Sequence, residues 1–195
     1  ASLLRFAALH SYDNVREAQA DPASYSINGI GYLLVEVPDY GLPPGLTETF
    51  YGLQLAGLTP ILTHPERNPT LLAEPMRMAD WLRGGILIQV TADSLTGHKG
   101  KAAARMAHEM LEKRWVHFLA TDAHNTISRP PRMREAHDLV ANKYGSSYAR
   151  SLCVTNPLAV FTGKPFEVEE EPRGLYDEPV VPGWWERVTA RFRCN

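Results

Sequence analysis

Cysteine is scarce in this chain. Cys153 and Cys194 are the only two among 195 residues, too few and too far apart for a CxxC motif or a disulfide framework. A reducing, cytoplasmic setting is the expectation. Charge of one sign is equally lacking: the formal net charge is -2 with no dense run of Lys and Arg, which argues against a nucleic-acid backbone as partner. Long apolar runs are missing too, since none approaches the roughly 20 residues that a spanning helix requires, so no membrane insertion is expected. The opening Ala1-Ser2-Leu3-Leu4-Arg5 does not read as a signal peptide.

What is present is a hydrophobic content of 44%, enough for one real core. Short apolar runs near 3–9, 31–37, 59–63, 85–90 and 116–121 read as strands. Helical spacing covers 46–56, 76–83 and 101–113, with Gly57, Gly84 and Gly85 placed as stops. This alternation implies an α/β fold with a parallel sheet buried on both faces. Further helices are expected at 132–144 and 148–153, followed by a short turn at Asn156-Pro157. One domain is expected over 1–164. From 165 to 195 the acidic run Glu167 to Glu171 and the prolines read as an extended linker. It leads to a short amphipathic helix bearing Trp184, Trp185, Val188 and Phe192, which reads best as docking on its own domain.

Three of the apolar runs end in metal-ligating residue types. Tyr32-Leu33-Leu34-Val35 closes with Glu36, Thr59 to Thr63 runs into His64, and Phe118-Leu119-Ala120-Thr121 gives way to Asp122 and His124. In a parallel βα architecture these ends share one rim, so Glu36, His64, Asp122 and His124 are candidate ligands. Carboxylate with imidazole suits zinc, manganese or iron better than calcium. Two arginines follow closely, Arg67 after His64 and Arg129 after His124. A guanidinium beside metal ligands suits a tetrahedral anion, so the chemistry points to a phosphate ester. The remaining histidines, His98, His108, His117 and His137, read as surface or packing residues, and Gly97 to Gly100 as a helix-start turn.

The ordered motifs His64-Pro65-Glu66-Arg67-Asn68, Gln89-Val90-Thr91-Ala92-Asp93-Ser94-Leu95-Thr96-Gly97 and Thr121-Asp122-Ala123-His124-Asn125 are followed by Ser128-Arg129-Pro130. Together they resemble the PHP-type protein-tyrosine phosphatases of bacterial capsule and exopolysaccharide operons, over roughly Leu3 to Gly163. The resemblance implies a distorted, TIM-like (β/α)7 barrel with helices outside its parallel strands. It also implies a cluster of up to three divalent ions, manganese first, with iron or zinc as alternatives. The implied reaction is hydrolysis of phosphotyrosine on the tail of a tyrosine autokinase that regulates polysaccharide export. Carried over by position, Glu36, His64, Asp122 and His124 resemble the metal ligands, and Arg67 and Arg129 the phosphate-binding pair.

Several family features are absent. No Asp-x-His-x-His strand and no Pro-His-His segment occurs, and Phe6-Ala7-Ala8-Leu9-His10 puts Ala8 where the family places a Glu. The chain therefore reads as an incomplete version of the barrel, with His10 or Asp13 as the candidate replacement ligand. Loss of charged ligands predicts weak metal binding and impaired turnover. An open barrel also exposes sheet edges and core, which invites self-association into a homo-oligomer. Two further readings stand beside the phosphatase: an inactive phosphate-binding remnant, and a PHP phosphoesterase acting on a small monoester such as histidinol phosphate.

Overall fold

The computed structural model describes residues 7–8, 12–127, 130–164 and 170–176. Among these, five parallel strands pair in the order of the chain: β1 (Ala7–Ala8), β2 (Tyr32–Glu36), β3 (Thr59–Thr63), β4 (Leu87–Thr91) and β5 (Phe118–Ala120). The rest of the strand expected over 3–9 lies outside the described residues. Parallel neighbours need crossovers, and helices supply them: α1 (Tyr12–Ala20) and α2 (Pro22–Tyr25) join β1 to β2. Next come α3 (Leu46–Leu55), α4 (Pro69–Ala73) with α5 (Arg77–Arg83), and α6 (Ala92–Leu95) with α7 (Lys101–Glu112).

Helices α3 and α5 stop where the glycines predict. Gly57 and Gly85 both take a φ of 81°, and the next amides reach back across the turn, Leu58 to the Leu53 carbonyl at 3.0 Å and Ile86 to the Trp81 carbonyl at 2.9 Å. A residue with a Cβ adopts that left-handed geometry only with strain.

Alternation along the strands divides the sheet into two faces. Val35, Leu62 and Ile88 stand in register across one face, and Val90 pairs with Leu119. That face packs with Phe50 and Leu53 of α3, Trp81 of α5 and Met106 and Met110 of α7 into the main core. Each such buried large side chain contributes roughly 1.5–3 kcal/mol. The opposite face carries Leu34, Ile61, Leu87 and Phe118, which form a second, smaller cluster with Ile27 and Val160. It remains partly open. A cleft of about 400 Å³ runs over it, lined by Leu34, Ile61, Gln89, Phe118, Cys153 and Val160 among others.

After β5 the chain forms α8 (Arg134–Tyr144), then α9 (Ser146–Arg150), a π-helical segment (Ser151–Thr155) and α10 (Asn156–Thr162). This corrects the turn expected at Asn156-Pro157. Helix continues through both residues: Pro157 stands in the first turn of α10, directly after the π-helical segment, where a proline is tolerated. Asn156 also ties this stretch to the sheet, its side-chain amide donating to the His117 carbonyl at 2.9 Å.

Part of the stretch read as a linker rests on the domain. The Arg173 amide donates to the Lys113 carbonyl at 2.8 Å, the Trp115 indole donates to the Arg173 carbonyl at 2.9 Å, and Leu175 is buried in the main core. Glu170 pairs with Arg114 at 2.8 Å. The helix expected around Trp184 to Phe192 lies outside the described residues. Among those described, no helix is long and apolar enough to cross a membrane.

Candidate active site

Because the sheet is parallel, the carboxyl ends of its strands lie along one edge. Glu36 is the last residue of β2, His64 directly follows β3, and Asp122 and His124 follow β5. The register partner of Glu36 on β1 is Ala8. Two of these residues have unusual backbones. His64 takes a φ of 36° and Asp122 a φ of 51°, left-handed conformations that L residues adopt at a cost of about 1–3 kcal/mol and that concentrate at functional sites.

His64 is 5% exposed and its Nε2 lies 3.0 Å from Glu36 Oε1. Burial lowers the imidazole below its usual range, helped by the nearby Arg67 charge and opposed by Glu36, Asp122 and Asp39. The shift favours the neutral ring, the form that ligates a metal ion. Arg67 stands beside this pair. Its guanidinium donates to Asp122 Oδ2 at 3.1 Å and lies 3.5 Å from Asp39 Oδ2. Two of its five N–H groups thus face carboxylates. Arg67 and Asp39 border a cleft of about 280 Å³ whose other walls include Leu72, Lys99 and Ala102.

His124 is placed differently. Its side chain is 54% exposed, and its Nδ1 sits 2.8 Å from the Asp122 carbonyl oxygen rather than against the Glu36–His64 pair. Arg129 and His10 lie outside the described residues, as does the side chain of Asp13. In kind, the carboxylate and imidazole of Glu36 and His64 fit a manganese-, iron- or zinc-like ion. In number they do not: among the described residues, no three His, Cys, Asp or Glu side chains stand close enough to hold one.

Three polar residues around the site were not singled out from the sequence. Asp39 pairs with Arg67. Asn68 is buried and makes four hydrogen bonds: its Oδ1 accepts from the Thr70 and Leu71 amides at the start of α4, and its Nδ2 donates to the Pro38 and Gly41 carbonyls. It thereby fastens the loop bearing Asp39 to the turn bearing Arg67. Glu66 is completely buried and accepts from the Thr91 amide at 3.0 Å. The Asn-Pro dipeptide after Arg67 was a readable N-cap signal for Asn68. Nothing in the local pattern marks the burial of Glu66.

The other histidines form separate contacts. His98 lies beside Thr96, His108 beside Tyr144 and His137 beside Asp138. His117 is buried just before β5, its Nδ1 accepting from the Ile88 amide of β4.

Residues 7–162 match the family model described as capsular polysaccharide synthesis, CpsB/CapC. The chain belongs to this family. It is 33% identical over 135 residues to the tyrosine-protein phosphatase YwqE of Bacillus subtilis, covering 69% of this chain and 53% of that protein. Over 137 residues it is 31% identical to the tyrosine-protein phosphatase CpsB of Streptococcus pneumoniae, covering 68% and 56%. A putative tyrosine-protein phosphatase, CapC of Staphylococcus aureus, is 33% identical over 123 residues, covering 63% and 48%. The chain thus spans about half the length of the curated relatives it matches.

Its structure superposes with a TM-score of 0.74 at 29% identity, covering 80% of this chain and 63% of the other. That match comes from the crystal structures of YwqE from Bacillus subtilis and CpsB from Streptococcus pneumoniae, described as unique metal-dependent tyrosine phosphatases.

Proposed function

We propose that the Glu36–His64 and Arg67–Asp122 pairs belong to the active site of a metal-dependent protein-tyrosine phosphatase, and that this chain carries an impaired form of it. The observation that carries the reading is the 3.0 Å carboxylate–imidazole pair with a guanidinium beside it, on the strand-end edge of a chain from a family with named tyrosine phosphatases. Glu36 and His64 would hold the ion, and Asp122 and His124, which stand apart from that pair, would have to turn toward it to serve as further ligands. Arg67, with Arg129, holds the phosphate of the ester. A divalent ion bound there would supply an activated water for hydrolysis of the ester.

The finer reading is a five-stranded portion of a (β/α)7 barrel, whose interior would lie on the face bearing Leu34, Ile61 and Phe118. The metal is manganese, or iron or zinc in its place. The substrate is the phosphotyrosine tail of a tyrosine autokinase that regulates capsular or exopolysaccharide export. The cytoplasm is the compartment this reading calls for, because an ATP-using autokinase presents its phosphotyrosine there. The open cleft also favours self-association, which sedimentation of the purified chain measures.

Hydrolysis of a phosphotyrosine peptide with added manganese tests the activity. Slow turnover above the metal-free blank, lost in His64→Ala, is the expected result. Turnover equal to that of a complete relative would refute the impairment. The incomplete donor set among the described residues favours one second reading, an inactive phosphate-binding remnant. Phosphate binding without any manganese-dependent turnover would select it.

A further inference from the structure

The turn after β3 carries His64 and Arg67, and between them stands Glu66, which takes no part in either pair. Its side chain is fully buried, and its Oε1 accepts from the Thr91 amide at the carboxyl end of β4. Its Oε2 is buried with the Ser94 hydroxyl facing the carboxyl, in no hydrogen bond of good geometry. Burying a carboxyl is costly, and an apolar side chain would fill the same space more favourably. A group kept there in spite of this acts through its hydrogen bond.

That bond has a clear mechanical context. His64 is left-handed, with φ 36° and ψ 49°, and it precedes a proline, which favours an extended backbone instead. Such a conformation persists only when its surroundings over-determine it. Two ties to β4 do so from either side of the strained residue: the His64 amide donates to the Gln89 carbonyl at 2.9 Å, and the Glu66 carboxyl accepts from Thr91 at 3.0 Å.

We propose that Glu66 is a positioning residue of the active site, whose carboxyl clamps the His64–Arg67 turn onto the end of β4 and so sets where the imidazole and the guanidinium stand. The inference rests on the roles given to His64 and Arg67 above. It separates three substitutions by geometry: Glu66→Gln keeps an acceptor within reach of the Thr91 amide, Glu66→Asp withdraws it by one methylene, and Glu66→Leu removes it.

The test is calorimetric titration of the full chain and each variant with inorganic phosphate and with manganese, alongside NMR of the His64 ring at one fixed pH. Glu66→Gln should keep both affinities within about twofold, whereas Glu66→Asp and Glu66→Leu should each lose about tenfold or more, the scale seen for partners that orient a ligand. The His64 ring signals should shift in the Asp and Leu variants and stay in place in the Gln variant. A folded Leu or Asp variant with both affinities and ring signals unchanged overturns the proposal, and so does a Gln variant as defective as Leu. If the Leu variant does not fold, the Asp and Gln variants decide. If the unaltered chain binds neither ion, the active-site reading fails separately, and the ring signals alone judge the clamp.

Discussion

His117 offers the sharpest quantitative test of the packing beneath the site. It precedes β5, and its Nδ1 accepts from the Ile88 amide at 3.1 Å while its own amide donates to the Ile88 carbonyl at 2.9 Å. Burial pushes the imidazole down to about 4 from an ordinary 6.5. As pH falls, the unfolded chain therefore binds a proton before the folded one, and stability is lost between those two values. The loss should reach about 2 kcal/mol by pH 5.

Glu66 works in the opposite sense. Burial raises its carboxyl from 4.5 to about 7, against the pull of the Thr91 amide, so the folded chain holds a proton that the unfolded chain has released. Stability is lost here as pH rises from 4.5 to about 7, and acidification to pH 5 restores about 2 kcal/mol. In the unaltered chain the two effects nearly offset. Single variants should unmask them.

His117→Asn keeps an acceptor for Ile88 and removes the titration. In urea unfolding, the stability of the unaltered chain relative to this variant should fall by about 2 kcal/mol between about pH 7.5 and pH 5. Relative to Glu66→Gln it should rise by about the same amount. A difference that does not change with pH for either variant would refute the stated burial of that group. Other carboxylates titrate alike in both members of each pair and cancel.

Arg67→Ala and Arg129→Ala should each weaken phosphate binding by about 1.5–3 kcal/mol in calorimetry, with manganese affinity and a Lys143→Ala control unaffected. Equal phosphate affinity in all variants would reduce both arginines to ordinary ion-pair residues. Leu175→Ala should destabilise the chain by about 2–4 kcal/mol, because it empties a core position supplied from beyond residue 170. An unchanged urea midpoint would show that residues 170–176 contribute nothing to the fold.

The strands and their order of function were largely written in local pattern. The run 59–63 appears in the structure as Thr59–Thr63, and 31–37 as Tyr32–Glu36, because a parallel strand covered on both faces leaves a short apolar run in the residues themselves. Once the strands are parallel, the positions of Glu36, His64 and Asp122 after their carboxyl ends follow from chain direction alone. The stops at Gly57 and Gly85 were legible for the same reason, since a left-handed backbone is a local demand that glycine meets.

Tertiary structure decided everything that depends on partners distant in sequence. Helix α1 went unread because few of its residues face the core, Val15 and Ala18 among them, which is too little apolar periodicity to register. Pro157 read as a stop, yet a π turn packed on the sheet carries the helix through it. Glu66 and Asp39 are both acids near Arg67. Only the fold buries one against the Thr91 amide and leaves the other to pair with Arg67 at the surface. Likewise Glu36 and His64 meet because β2 and β3 pair in one register, a choice fixed by the packing of Val35 on Leu62 and not by either residue's neighbours in the chain. Sequence determines what each side chain offers; the three-dimensional arrangement determines what it is offered to.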